Sequence, residues 1–285
     1  MANGGIIGPA NDPVQLKNVT TFTSSAPGGH TFNPATTGID YLIVAGSGGK
    51  NPTGIGNSGT GAGGLKVSES SYGTPVTPAG TTGAITVGAA GGLGSQGGSS
   101  SIASGGGIPS TISTTGGGGG VARGASGSPG GSGSGGGDGW PSNTTSAGSG
   151  TGSEGNPGGP GGPGEPSGGG GGYTTAGGAD YNPQYGPGDG YSSDIESPTS
   201  APVSLVYAIG GNGEGAPSGA PFGNNPHYPI SANGPARDNS GSGVLYGNSA
   251  AGIVVISENG GGGVSASGMW TLREQFDQKK DGVWS

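Results

Sequence analysis

The side chains able to do chemistry are few and widely spaced. Histidine occurs at His30 and His227 only, and there is no cysteine. The missing thiols exclude thiol catalysis, disulfides and thiolate metal sites. Carboxylates are scattered. The densest group, Asp180, Asp189, Asp194 and Glu196, is the set that loops could gather around a hard cation such as Ca²⁺. Its spacing fits neither an EF-hand loop nor a nonapeptide calcium repeat, so solvated loop charges are the plainer reading. Gly88-Ala-Ala-Gly-Gly-Leu-Gly94 touches nucleotide-loop patterns, but glycine this dense produces such matches by chance. No catalytic residue, metal ligand or cofactor is therefore expected, and the chain reads as a structural or binding module rather than an enzyme.

The aromatic residues are more informative. Trp140, Tyr173, Tyr181, Tyr185, Tyr191, Phe222, His227 and Tyr228 fall within or just after glycine runs, flanked by Gly, Pro or Asn. Aromatics carried on turns of a rigid scaffold are common material for recognition surfaces, and a flat ring suits the C–H face of a sugar. The competing reading is that each ring packs flat on the glycine backbone.

What must position these rings is an unusual backbone. Glycine supplies 77 and proline 23 of the 285 residues, a share that ordinarily signals low complexity. Only 27% of the chain is hydrophobic, too little for a conventional core along its whole length. The glycine stretch runs from about Gly46 to Gly247 and is densest at Gly116–Gly120, Gly130–Gly139, Gly148–Gly164 and Gly168–Gly172. Collagen needs glycine at every third position; the triplets from Gly158 hold that phase only as far as Ser167. Silk-like sheet needs longer regular alternation. Disorder is the compositional default. The remaining state is a bundle of short polyglycine-II rods. Each rod has three residues per turn and no internal hydrogen bonds, so its amides point sideways to neighbouring rods. Runs of about 5–10 residues would make rods of about 15–30 Å at ~3.1 Å per residue.

Such a bundle needs a rigid seed, and the flanking segments can supply one. Val19–Ser24 and His30–Asn33 read as short strands around the turn Ala26–Gly29. Ile39–Ala45, apolar on both faces, reads as a covered central strand. Leu65–Glu69, Ala84–Gly88, Val203–Ile209 and Gly252–Ser257 are further strand candidates, the last two expected to return and pair with Tyr41–Val44. The expected fold class is thus mainly β and irregular: a small β platform carrying a polyglycine-II bundle, with a short C-terminal α-helix. The divisions are an N-terminal arm (1–18), the platform (19–70), the glycine-rich region with its loops (71–202), returning strands and glycine loops (203–263), and a C-terminal linker and helix (264–285). That helix rests on a capping box of Thr271 and Glu274, i,i+4 pairing of Leu272 with Phe276, and a stop at Gly282. Alone it would be marginal, so Trp270, Leu272, Phe276 and Trp284 are expected to dock on this subunit or on a partner.

The net charge of −8 disfavours nucleic acid and anionic membrane surfaces. No apolar stretch is long enough to span a bilayer. The opening MANGGIIGPANDP lacks the basic region and apolar run of a secretory leader, so none is expected.

The segment VTTFTS…HTFNPATTGIDYLIVAGSGG resembles the opening of the glycine-rich domain found in bacteriophage tail fibres and related virion proteins. AITVGAAGGLGSQGGSS and the closing SGSGVLYGNSAAGIVVIS are similar to the same family, so the resemblance covers roughly residues 19–257. Ala26–Gly29 and Ser47 depart from the commoner pattern. Less closely, the chain resembles the tip adhesins of T-even-like phages, which carry stacked polyglycine-II helices with receptor-binding loops at the distal end. GMWTLREQFDQKKDGVWS is similar to a tail that recurs on structural proteins of marine phages. The resemblance implies a virion component on the phage particle surface, a tail fibre or receptor-binding protein. Its partners would be a bacterial surface glycan or outer-membrane protein, other virion proteins and sister copies in a homo-oligomer such as a trimer. A non-adhesive structural virion protein, either a capsid decoration or a fibre shaft, is the alternative.

Overall fold

The computed structural model describes residues 14–15, 18–51, 56–68, 74–77, 79–163, 167–178, 186–196, 204–213, 238–244, 248–259 and 264–265. Among these it is strand and irregular backbone, with no helix. The strands are β1 (Val14–Gln15), β2 (Asn18–Phe22), β3 (Gly38–Val44), β4 (Leu65–Ser68), β5 (Thr74–Pro75), β6 (Ile85–Thr86), β7 (Ser100–Ile102), β8 (Ile112–Thr114), β9 (Tyr191–Ser193), β10 (Leu205–Tyr207), β11 (Ile253–Asn259) and β12 (Val264–Ser265).

The platform is an antiparallel sheet in the order β2-β11-β3-β4, with β5 also paired to β3. Side chains alternate across a strand, and here both faces are covered. Ile39 and Ile43 of β3 join Val254 and Ile256 of β11 in one buried cluster with Phe32, Ile85, Ile102 and Ile108. Leu42 and Val44 join Ile253 and Val255 in a second cluster with Leu65, Ile195 and Tyr207. The first face is closed by a small antiparallel sheet, β6-β7-β8, and the second by the β9–β10 pair. Ser100 ties the layers together. Its hydroxyl donates to the Val44 carbonyl at 2.7 Å and accepts from the Gly88 amide at 2.9 Å.

Three expectations need correction. The returning strand β11 does pair with β3, Ile253 opposite Val44 and Ile256 opposite Tyr41. β10 does not. It pairs with β9, because an equally apolar strand can be buried on a sheet's face as well as within it. His30–Asn33 does not form a strand. It makes one bridge, Thr31 to Thr81, and then turns where Thr36 N donates to Asn33 O, since Pro34 has no amide to extend the ladder. The arm and the expected linker also meet, Val14 opposite Ser265 and Gln15 opposite Val264. The helix expected near 271–281 lies outside the described residues.

Among the described residues, the glycine runs within 46–64, 88–98, 116–172 and 208–213 spring from one end of this platform. Chain leaves β3, β6, β8 and β10 at their C-terminal ends and enters β4, β7, β9 and β11 at their N-terminal ends. The registers place those ends together: Val44 opposite Leu65 and Ile253, Thr86 opposite Ser101, Ser100 opposite Thr114, Tyr207 opposite Tyr191. The β1–β12 ribbon continues from the opposite end, beyond the pair Asn18–Glu258.

Within the runs, backbone amides follow a rule of three. Ser132, Gly135 and Asp138 donate to Ala62, Gly59 and Gly56; Gly133, Gly136 and Gly139 donate to Asn156, Gly159 and Gly162. Gly131, Ser134 and Gly137 donate to Gly116, Ser128 and Ala125. The 58–64 run behaves likewise, with Ser58, Gly61 and Gly64 bonded to Val121, Gly118 and Thr115. Successive amides thus point in three different directions, and every third points the same way, to one neighbour throughout for the series from Ser132, Gly133 and Ser58 and to two successive runs for the series from Gly131. The packing leaves no room for side chains between backbones. An added Cβ would sit 1.9 Å from the Gly168 carbonyl oxygen at Gly135 and 1.7 Å from that of Gly92 at Gly49. Where a larger residue interrupts a run, its hydroxyl often replaces a backbone partner. Thr60 Oγ1 accepts from Val244 N at 2.7 Å, and Ser134 Oγ accepts from Ser128 N at 2.8 Å.

Candidate functional site at the turn end

The same registers locate the far end of the glycine region. Gly94 N donates to Lys50 O and Asp138 N to Gly56 O, so the reversals at 92–95, 121–125 and 139–145 lie at the end remote from the sheets. Among the described residues the exposed large hydrophobic side chains are Leu93, 61% exposed, and Trp140, 53% exposed. Both lie on these reversals.

The turn that carries Trp140 is heavily pinned. The Asp138 side chain is wholly buried; its Oδ1 accepts the Trp140 amide at 2.7 Å and its Oδ2 lies 2.7 Å from Arg123 Nε. The Asp138 carbonyl accepts the Gly124 amide at 2.6 Å, joining this turn to its neighbour. Asn143 N closes the turn on Gly139 O at 2.8 Å. Thr145 and Gly161 exchange backbone bonds at 3.0 and 3.1 Å, and Thr145 Oγ1 donates to the Gly137 carbonyl. A carboxylate that accepts a main-chain amide two residues on is the usual way an Asx residue starts a turn. Residues 140–144 stand exposed above this frame.

Two other expected recognition aromatics sit elsewhere. Tyr173 and Tyr191 are half-buried at the platform end, edge to face at 5.4 Å and 77°, against the cluster around Leu42 and Tyr207. Tyr181, Tyr185, Phe222, His227 and Tyr228 lie outside the described residues, as do Trp270, Leu272, Phe276 and Trp284. The structure therefore separates Trp140 from the Tyr173–Tyr191 pair rather than gathering the three. Leu93, Arg123 and Asp138 were missed. A lone leucine between glycines was a legible sign of a turn tip, and Asp-Gly-Trp-Pro a legible turn. The Arg123 partner, on a different reversal, left no local signal.

The other polar clusters serve structure. Buried Glu258 receives Asn18 Nδ2 at 3.1 Å, His30 Nε2 at 3.0 Å, the Asn33 amide at 2.7 Å and the Thr36 hydroxyl. Phe22 and Phe32 flank the His30 ring edge to face. Glu154 binds Lys66 Nζ at 3.0 Å and the Thr115 amide at 2.7 Å where β4 meets the glycine runs. Among the described residues no group of three His, Cys, Asp or Glu could hold a metal ion, and no helix is long and apolar enough to cross a membrane. Comparison with protein-family models, with curated proteins and with solved structures finds no match to this chain.

Proposed function

We propose that this chain is a phage tail-fibre or tip protein that attaches non-covalently to the bacterial surface, and that its glycine region is a polyglycine-II bundle. The observation that carries the reading is polarity. The β1–β12 ribbon, at which the described residues begin and end, leaves one end of the platform, and the reversals at 92–95, 121–125 and 139–145 stand at the other. One end suits attachment to a virion or to sister copies, the other display. The three-residue recurrence of amide donors supports the rods, since three residues per turn is the polyproline-II repeat. On that repeat, Ser132 to Asp138 spans about 19 Å at ~3.1 Å per residue. The C-terminal segment, with Trp270, Leu272, Phe276 and Trp284, would supply the docking helix, and a surface glycan or outer-membrane protein would be the receptor.

A second reading keeps the virion role without adhesion, as a capsid decoration or fibre shaft. It is favoured by one observation, that Tyr173 and Tyr191 pack into the core rather than onto a surface. Binding of labelled, folded protein to cells of the phage's host separates the two. Saturable binding competed by unlabelled protein is expected. Absence of binding, with the fold verified, would leave the structural reading in its place.

A further inference from the structure

We infer that the turn 139–145 is a sugar-binding element in which the Trp140 ring stacks on one hexopyranose face and the side chains of Ser142, Asn143 and Thr144 engage its hydroxyls. The inference rests on the adhesion reading and names the class of ligand for its turn end.

Trp140 belongs to neither hydrophobic cluster and is 53% exposed. The bonds that hold its turn use its main-chain amide and the Asp138 carboxylate, and none of these uses the indole. The frame beneath is nonetheless fixed on several sides: the Asp138–Arg123 pair at 2.7 Å, the Asn143–Gly139 bond and the doubled Thr145–Gly161 bond. A turn held in place before the ligand arrives loses little backbone freedom on binding, which is how preorganisation raises affinity.

The surroundings select the ligand. An indole face is electron-rich and large, and a pyranose presents a matching face of polarised C–H bonds. Ser142, Asn143 and Thr144 are all exposed beside it and supply hydroxyl and amide groups that can donate and accept, as sugar hydroxyls require. A protein partner would need roughly 800 Å² of each surface, with several apolar anchors. This turn offers one anchor on five exposed residues, and among the described residues the other exposed large hydrophobic, Leu93, stands on a different reversal. An anionic lipid surface would want basic residues, and residues 139–145 contain none.

The test follows the Trp140 indole N–H in the NMR spectrum of the full chain, assigned by its loss in Trp140→Phe. The probes are methyl glycosides of hexoses, N-acetylhexosamines, 6-deoxyhexoses and hexuronic acids. A saturable shift in the millimolar range is expected for at least one of them. Trp140→Ala, read instead by the backbone amides of Asn143 and Thr144, should weaken that sugar about thirtyfold, as truncation of an anchor aromatic does. Asn143→Ala should weaken it severalfold, and Leu93→Ser should leave it unchanged. No shift with any probe overturns the inference, as does a folded Trp140→Ala that keeps wild-type sugar affinity. The adhesion reading fails separately: if the wild type binds sugar but no host cells, the site stands and adhesion falls. If Trp140→Ala binds host cells as the wild type does, the sugar site is not the receptor site and adhesion stands.

Discussion

Gly135 and Gly152 differ in what a methyl group would meet. At Gly135 it would lie 1.9 Å from the Gly168 carbonyl oxygen, so two backbones would have to part; at Gly152, on an exposed turn, nothing lies within 4 Å. Gly135→Ala is therefore expected to destabilise by about 3 kcal/mol, at the upper end for overpacking, because backbone cannot re-orient as a side chain can. Gly152→Ala is expected to stabilise by about 0.4–1 kcal/mol through the lost freedom of the unfolded chain. Thermal unfolding of the two variants should shift in opposite directions; a shift in the same direction would mean the runs are looser than their contacts imply. Glu258 makes a second residue-level case. Its two carboxylate oxygens collect Asn18, His30, the Asn33 amide and Thr36, all expecting an acceptor. Glu258→Gln turns one acceptor into a donor, with an expected loss of about 2–3 kcal/mol. Urea unfolding should show it as a lower midpoint with an unchanged slope.

The glycine run is the element whose behaviour is least like a strand. In a two-stranded antiparallel ribbon, outward-facing amides alternate with paired ones. From Gly131 to Gly139 each amide has a partner on another run, so all nine should be protected from hydrogen exchange. Protection of about a thousandfold or more is expected, equivalent to ~4 kcal/mol of opening free energy. Exposed Ser142 and Thr144 should exchange far faster. Alternating protection along 131–139 would favour ordinary sheet, and random-coil rates throughout would remove the bundle. Sequence made some of these elements legible. β3 and β11 announce themselves because a strand covered on both faces must be apolar at successive positions, as Tyr41–Val44 and Ile253–Ile256 are. β10 was visible as a strand for the same reason, but apolarity alone cannot say whether it joins the sheet or lies across it. The neighbours of each glycine run were illegible. Glycine has no side chain to mark a partner, and which backbone Gly135 meets is decided by the order of strands in the platform below. For the site the division is similar: Trp140 was readable as a turn aromatic flanked by Gly and Pro, while its exposure and the Arg123–Asp138 pair beneath it depend on how two runs come to lie side by side.

At the scale of the whole molecule direction and number matter. The reversals at 92–95, 121–125 and 139–145 occupy the end of the glycine region remote from the sheets, and the β1–β12 ribbon leaves the platform at the other. Because the chain has no cysteine, one introduced thiol labels one place. A polyethylene glycol chain on Asn143→Cys is expected to abolish cell binding, whereas the same polymer on a cysteine appended after Ser285 should leave it intact. The opposite result would reverse the proposed orientation, and loss at neither position would place receptor contact away from both ends. Number enters through affinity. A single sugar site with a Kd near millimolar contributes only about 4 kcal/mol, too little to hold a particle on a cell. Sites joined through a common base act at millimolar effective concentration, so at a millimolar Kd each further site adds only about a severalfold gain without any new contact, and many copies are needed for a large one. Protein biotinylated at its C-terminus and gathered on streptavidin should therefore bind cells about tenfold more tightly than the monomer. The gain should vanish in Trp140→Ala, because multiplying a site that does not bind multiplies nothing. A gain that survives that substitution would show that the copies hold the cell through some other part of the turn end.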